Sequence, residues 1–317
     1  MATIYEVAAR AGVSPATVSR VLNGIAVSPA YADRVLAAAE ELNYVPNRTA
    51  QRLRRRSSEV IALVIPDIEN PFFTALARGV EDRALDAGLS VVLCNSDEQE
   101  DKESRYLQVA LSEHMAGVIL APASDHPDLD AIVAMSTPVV AVDRSAHGYD
   151  LDTVVMDDVA SGRTATERLY AEGHSVVACI TGPATVETAQ NRAEGWRQVF
   201  AQRSPGAEPD AYLVHSNYRV DGGQAAMASL RALPEPPDAV FVANNLMGVG
   251  AMQALATDDA VGIAVLGDLP FGMFPRPGAS VLPLPARELG VTAADLLLQR
   301  LNGDIGPARR IVLDSAP

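Results

Sequence analysis

T-I-Y-E-V-A-A-R-A-G-V-S-P-A-T-V-S-R-V-L-N, residues Thr3 to Asn23, sets the organisation of the chain. Thr3 followed by Glu6 is a capping box, so a helix opens there, with Ile4, Val7, Ala8 and Ala11 as an apolar stripe at helical spacing. Gly12-Val13 ends it. Ser14 is a good N-cap and Pro15 stands at the first helical position, where its missing N–H costs nothing, which predicts a second helix from Pro15 to about Leu22. Val18 and Val21 turn inward, leaving Ser14, Pro15, Ala16, Thr17, Ser19 and Arg20 on the outer face. Two short helices joined at a glycine fit a helix-turn-helix whose outer face enters a DNA major groove, and equally an αα-hairpin within a larger helical domain.

The next stretch of chain favours the helix-turn-helix. Ser28-Pro29 repeats the cap-plus-proline start and opens a third helix, with Val35, Leu36, Ala39 and Leu42 as its expected apolar face. Then comes Tyr44-Val45-Pro46-Asn47 and the basic run Arg48 to Arg56, with Asn47 as a cap and no apolar stripe, a segment expected to fold only on a partner. Residues 1–56 hold eight arginines against four acids, net +4, while the remainder holds 17 bases against 36 acids, net −19. Only the first part is suited to a phosphate backbone; the acidic body serves solubility and adds no non-specific DNA affinity.

From Glu59 onward apolar runs alternate with helical stretches. Val60–Ile65, Leu89–Cys94, Val118–Ala121 and Val139–Val142 read as buried parallel strands of one doubly wound unit. Val176–Ile180, Tyr212–His215, Ala239–Ala243 and Ile263–Leu266 read as a second, separated by helices, the clearest being Gln190–Gln202, Gly222–Ala232 and Met247–Ala256. Two such units side by side place a small ligand between their strand ends.

At this point the chain resembles the lactose/galactose repressor (LacI/GalR) family of bacterial transcription factors, through Thr3–Asn23, Y-V-P-N at 44–47, V-I-P-D-I-E-N-P-F-F at 64–73, V-D-R at 142–144 and V-A-N-N-L-M-G-V-G-A-M at 242–252. The resemblance covers nearly the whole chain. It implies an α N-terminal helix-turn-helix domain plus an α/β two-lobed periplasmic-binding-protein-like body. Its expected division is 1–46 for the DNA-binding head, 47–58 for a hinge and 59–317 for an effector-binding and dimerisation domain. Lobe 1 would take about 59–156 and 283–308, and lobe 2 about 157–282 and 309–317, with three crossings between them, a helix at Ala286–Leu301 and a last strand at Arg310–Leu313.

The resemblance also implies roles. Thr3, Tyr5, Ser14, Ser19 and Asn23 would sit on phosphates, with Pro15, Ala16 and Arg20 facing base edges and Arg20 suited to a bidentate guanine contact. Leu53 stands where the family places a leucine wedge in the minor groove. In the body, Phe72-Phe73 is either a helix staple or a ligand platform, and the resemblance places Phe73 at the ligand. Ser124-Asp125 and Asp143-Arg144 lie just past strand ends, where a carboxylate and a guanidinium suit a hydroxyl-rich ligand or form a plain ion pair. Arg192 is the firmest effector contact, its alternative being a solvated helix arginine; Tyr218 matches a stacking aromatic, and Asn244 offers both donor and acceptor.

The chain departs from the family at three places. Asn245 replaces the usual aspartate, a change expected to bear on helix capping more than on ligand contact. The run Val265-Leu266-Gly267-Asp268 is shorter than the usual G-F-D-D, leaving Asp268 as the nearby carboxylate that could serve. The loop Thr257 to Ala260 is also short.

Other function classes find little support. No G-x-S-x-G, P-loop, G-x-G-x-x-G or paired His/Cys spacing occurs, and His114, His126, His147, His174 and His215 are scattered, so no catalytic residue, cofactor or metal ligand is assigned. No apolar run approaches a membrane span, no signal segment precedes Thr3, and Cys94 and Cys179 read as buried thiols in a reducing cytoplasm. The expected molecule is a cytoplasmic homodimeric repressor of a near-palindromic operator, allosterically controlled by a small effector, a sugar or sugar derivative. The alternatives are a regulator answering to a nucleobase or a protein, and a cytoplasmic solute-binding protein without specific DNA reading.

Overall fold

A computed structural model describes residues 3–22, 27–42, 44, 58–255 and 260–314. The chain divides into two compact units, Met1–Ser58 and Glu59–Pro317.

The first unit carries α1 (Ile4–Ala11), α2 (Pro15–Leu22) and α3 (Pro29–Glu41). The capping box forms: Thr3 Oγ1 accepts from the Glu6 N–H at 3.3 Å, and Glu6 Oε2 accepts from the Thr3 N–H at 2.6 Å. Gly12, at φ 63°, ends α1 in the left-handed region, and Arg34 reaches back to donate to the carbonyls of Ala11 and Gly12. Ser14 Oγ accepts from the Thr17 N–H at 3.1 Å and so starts α2. Val7, Ala8, Ala11, Val18, Val35, Ala38 and Ala39 form the core of the three helices. Leu36 corrects the sequence reading: it is exposed, because Val35, Ala38 and Ala39 occupy the inward stripe and Leu36 lies about 100° round the helix from Val35.

The second unit has two wholly parallel sheets. The first has strand order β11-β5-β4-β3-β1-β2, with β1 Val60–Ile65, β2 Ser90–Asn95, β3 Val118–Leu120, β4 Val139–Val142, β5 Asp152–Met156 and β11 Arg310–Leu313. The second has order β10-β9-β8-β6-β7, with β6 Val177–Thr181, β7 Leu213–His215, β8 Ala239–Val242, β9 Gly262–Leu266 and β10 Ala279–Leu282. Helices α4 (Pro71–Asp86), α5 (Glu100–Ser112), α6 (Asp130–Ala134), α7 (Asp158–Ala171), α8 (Glu187–Arg203), α9 (Val220–Arg231), α10 (Asn245–Ala254) and α11 (Ala286–Leu301) connect them. Each sheet has its own apolar core, around Ile61, Leu63, Ile119 and Leu289 in the first lobe and around Trp196, Phe200, Phe241 and Ile180 in the second.

β11 lies in the first lobe, not in the second as the sequence reading expects. It pairs with β5 from Arg310↔Thr153 to Leu313↔Met156. The cause is Asp152, whose carboxylate accepts from Arg300 at 2.8 and 2.9 Å, from the Arg309 guanidinium at 2.9 Å and from the Arg309 N–H at 2.8 Å. Burial works against the Asp152 charge, but Arg300 and Arg309 hold its pKa well below the usual carboxylate range. The described chain thus crosses between lobes twice, after β5 and after β10, not three times.

Three helix pairs cross at reciprocal glycines. A Cβ on Gly162 would meet the Arg192 carbonyl oxygen at 2.2 Å, and one on Gly195 would meet that of Val159 at 2.1 Å; Gly79 with Gly290 and Gly223 with Gly250 repeat this in the α4/α11 and α9/α10 pairs. The α7/α8 crossing matters most for the cleft, because it brings the start of α7 against the middle of α8.

Candidate functional site

Six strand ends converge between the two lobes. The loop after β1 brings Asp67, Asn70, Phe72 and Phe73; β2 is followed by Glu98, and β4 by Asp143 and Arg144. From the second lobe come Thr188 and Arg192 on α8, Asn217, Tyr218 and Arg219 after β7, Asn244 and Asn245 after β8, and Gly267 after β9. The cavity that they line encloses about 40 Å³, room for a few waters and far below the ~300 Å³ at the small end of ligand pockets. The lobes lie close on one another, and Arg144 with Glu98, Thr188 with Tyr218 and Asn70 with Asn245 pair across or along the cleft.

Two buried guanidiniums dominate it. Arg192 donates from Nε to Asp158 Oδ1 at 2.7 Å and from Nη1 to the Ala243 carbonyl at 2.8 Å, and is 6% exposed. Arg192 is therefore buried and not a solvated helix arginine, and the Gly162/Gly195 crossing is what brings Asp158 within reach. Burial pushes the Asp158 carboxyl up to about 6, against the pull of Arg192. Arg144 makes a two-pronged pair with Glu98, at 2.7 and 2.8 Å, and donates to the Pro122 carbonyl at 3.0 Å. Burial disfavours the Arg144 charge, but Glu98 and Asp143 more than offset it and raise the pKa. Asp143, at φ 68°, faces both arginines; burial raises its pKa, against Arg144 and Arg192.

Tyr218, also left-handed at φ 61°, shares a hydrogen bond with Thr188 Oγ1 at 3.0 Å. Its ring lies where any Cβ on Gly182 would be, 2.0 Å from the nearest ring atom, so the glycine makes room for the aromatic. The Arg144 guanidinium stands 5.9 Å from the ring centroid. Phe73 packs in the first-lobe core and also lines the cavity; Phe72 meets it edge-on with ring centroids 5.1 Å apart.

The two asparagines divide their work contrary to expectation. Asn244 caps α10, its Oδ1 accepting from the Met247 N–H at 2.9 Å. Asn245 instead crosses the cleft, donating from Nδ2 to Asn70 Oδ1 at 3.0 Å and to the Asp268 carbonyl at 2.9 Å. Asp268 lies outside the cavity: the turn at Gly267, φ 87°, leaves its side chain exposed, and only its backbone carbonyl joins the network. Ser124 and Asp125 do not line the cavity either. Asp125 Oδ1 accepts from the Glu187 N–H at 3.3 Å, a contact between lobes rather than a cleft group.

Sequence reasoning missed Glu98, Thr188, Asn217, Arg219, Asp67 and Asn70. Strand-end position would have found Glu98, but Asp97-Glu98-Gln99-Glu100-Asp101 looks like a solvated acidic run. Among the described residues, no group of three or more His, Cys, Asp or Glu could hold a metal, and no helix is long and apolar enough to cross a membrane.

In the head, Tyr5, Ser14, Ala16 and Arg20 are exposed, and Pro15 and Thr17 half-buried. Asn23, Asn47 and Leu53, together with the Ser19 side chain, lie outside the described residues.

Comparison with known proteins agrees with both units. Residues 3–47 match the family model for bacterial regulatory proteins of the lacI family, and residues 58–313 match that for periplasmic binding proteins and the sugar binding domain of the LacI family. The ribose operon repressor of Escherichia coli strain K12 is 36% identical over 310 residues, 95% of this chain and 94% of that repressor. The HTH-type transcriptional repressor CytR of the same strain is 30% identical over 321 residues, 98% of this chain and 93% of CytR. A crystal structure of the lac repressor dimer bound to operator and the anti-inducer ONPF superposes with a TM-score of 0.82 at 26% identity, covering 99% of this chain and 96% of that one. With a capped helix-turn-helix joined to a two-lobed parallel α/β body, the chain belongs to the LacI family of bacterial regulatory proteins and is a DNA-binding transcriptional regulator.

Proposed function

We propose that this regulator is a repressor that binds a near-palindromic operator as a homodimer and releases or grips it when an uncharged polyhydroxylated effector, of the pentose class, occupies the cleft. The observation that carries the reading is the meeting of Phe73, Asp143, Arg144, Arg192, Tyr218 and Asn244 on one cavity between the lobes. Aromatic faces flank a ring, while fixed carboxylate, guanidinium and amide groups exchange hydrogen bonds with hydroxyls. The naming of several relatives as ribose operon repressors supports a pentose.

In the head, Thr3, Tyr5, Ser14, Ser19 and Asn23 hold phosphates, Pro15, Ala16, Thr17 and Arg20 face the major groove, and Asn47 and Leu53 belong to the hinge that enters the minor groove. Leu85, Val92 and Leu93, exposed on α4 and the edge strand β2, support pairing of two copies. The site of action is the cytoplasm, and no step requires a cofactor or metal.

The test is selection of bound duplexes from a random pool, with and without D-ribose and a panel of sugars and nucleobases. The expected result is a near-palindrome whose enrichment changes with one sugar. Enrichment that answers only to a nucleobase replaces the effector class, and no enriched sequence under any condition overturns specific DNA reading.

A further inference from the structure

Glu98 enters the cleft through an unusual turn. Asp97 and Glu98 are consecutive non-glycine residues in the left-handed region, at φ 54° and 57°. The turn is held by the Asn95 side-chain amide, which donates to Asp97 Oδ1 at 2.7 Å, by the Lys102–Asp97 ion pair, and by the Ser96 N–H bonded to the Ile65 carbonyl at 2.8 Å. A backbone conformation disfavoured for two successive L-residues persists only where its surroundings fix it. Its result is to lay the Glu98 carboxylate along Arg144.

Arg144 is 4% exposed, and its two terminal nitrogens both donate to Glu98. Its Nε, 3.5 Å from Asp143 Oδ2, makes no hydrogen bond among the described residues. The other buried arginine, Arg192, is taken up by Asp158. The acids that line the cleft or pair with its guanidiniums, Asp67, Glu98, Asp143 and Asp158, therefore outnumber the guanidiniums Arg144, Arg192 and Arg219 by one. A phosphate or carboxylate group arriving at Arg144 must displace Glu98 and leave a second anion beside Asp143. A hydroxyl asks for neither.

We propose that Glu98 is a specificity-determining residue of this cleft: by holding Arg144 in a two-pronged ion pair, it makes the cleft refuse phosphate and carboxylate groups and admit uncharged hydroxyl-bearing ligands. The proposal rests on the cleft being the effector site and adds the chemical class that it excludes.

The experiment is isothermal titration calorimetry of the full chain, as wild type, Glu98→Gln, Glu98→Asp and the double variant Glu98→Gln/Arg144→Gln, with inorganic phosphate, D-ribose and D-ribose 5-phosphate as probes. Glu98→Gln should bind inorganic phosphate at least tenfold more tightly than wild type, and the double variant should lose the gain. Glu98→Asp, which keeps the charge, should remain as indifferent to phosphate as wild type. Equal phosphate binding by wild type and Glu98→Gln overturns the proposal, as does a gain that survives removal of Arg144. Should Glu98→Gln not fold, Glu98→Asp and wild type decide, since phosphate binding by either within threefold of D-ribose binding also overturns it. D-ribose tests the effector reading separately: no ribose heat together with a phosphate gain in Glu98→Gln removes the pentose and leaves the exclusion role standing.

Discussion

Glu187, at the start of α8 in the second lobe, accepts two hydrogen bonds from Ser145 of the first lobe, from its N–H at 2.7 Å and from its hydroxyl at 3.1 Å. Arg310 on β11 completes the cluster, donating to Ser145 Oγ at 2.7 Å and standing 3.6 Å from Glu187 Oε1. With Asp125 receiving the Glu187 N–H, this rim of the cleft ties the two lobes together. Hydrogen bonds to a charged group contribute about 1.5–3 kcal/mol each, so Glu187→Ala should shift the lobes toward an open state. Hydrogen exchange at the Ser145 amide should accelerate more than tenfold and the radius of gyration from small-angle scattering should increase. Unchanged exchange at Ser145 would remove the latch.

Glu103 on α5 supplies a pH signature. It is 2% exposed, accepts from the Ala123 N–H at 2.7 Å, and burial pushes its carboxyl up to about 7, against that hydrogen bond and Arg144. A carboxyl whose pKa is raised by folding favours the protonated folded form. Its stabilisation is complete below the ordinary value of 4.5 and is lost as pH rises through about 7. Glu103→Gln keeps an acceptor for Ala123 without the charge. Urea unfolding should show almost no gain for the variant near pH 4, growing to about 3 kcal/mol at pH 8. A variant with the same pH slope as wild type would refute the burial argument.

The α7/α8 crossing tolerates no side chain at its closest point. Gly162→Ala places a Cβ about 2.2 Å from the Arg192 carbonyl oxygen, a backbone atom that cannot rotate aside. The helices must separate, at a cost of roughly 2–4 kcal/mol, and Arg192 then loses its place against Asp158. Thermal unfolding should show the loss of stability, and effector binding should weaken even at temperatures where the variant is fully folded. A variant of wild-type stability would mean that the helices can slide.

Arg20 tests the head independently of the body. Arg20→Ala should cost about 1–3 kcal/mol on the selected operator and relax base preference at one position of each half-site. Replacing an arginine that touches only phosphate would instead weaken all duplexes alike and lower the salt dependence of binding. Competition binding against single-base operator variants separates the two.

Local rules were enough for the capping box of α1, the proline starts of α2 and α3, and most buried strands, since each is written in neighbouring residues. Parallel strands with both faces buried, such as Ile61–Ile65, stand out as unbroken apolar runs. β5 and β11 did not stand out. β5 opens with Asp152, whose charge is countered by arginines some 150 residues away, and β11 is an edge strand with alternating exposure. In the cleft, Arg192 and Tyr218 were named through the family resemblance of the residues around them, and the structure places both on the cavity. Glu98 was hidden in an acidic run, and Asp268 was misplaced because the turn at Gly267 decides where its carboxylate goes, which no count of carboxylates near a strand end can show.

The pinning of β11 to β5 by Asp152 also orders events during synthesis. The second lobe is one unbroken stretch, with every strand between residues 177 and 282, and can close as soon as that stretch has left the ribosome. The first lobe is begun earlier but lacks α11, whose Leu289, Ala293, Leu296 and Leu297 fill its core, and its sixth strand until residue 313 has been made. The nascent chain therefore carries a finished second lobe downstream of an unfinished first one, with the outer edge of β5 bare and open to mispairing until the last strand arrives.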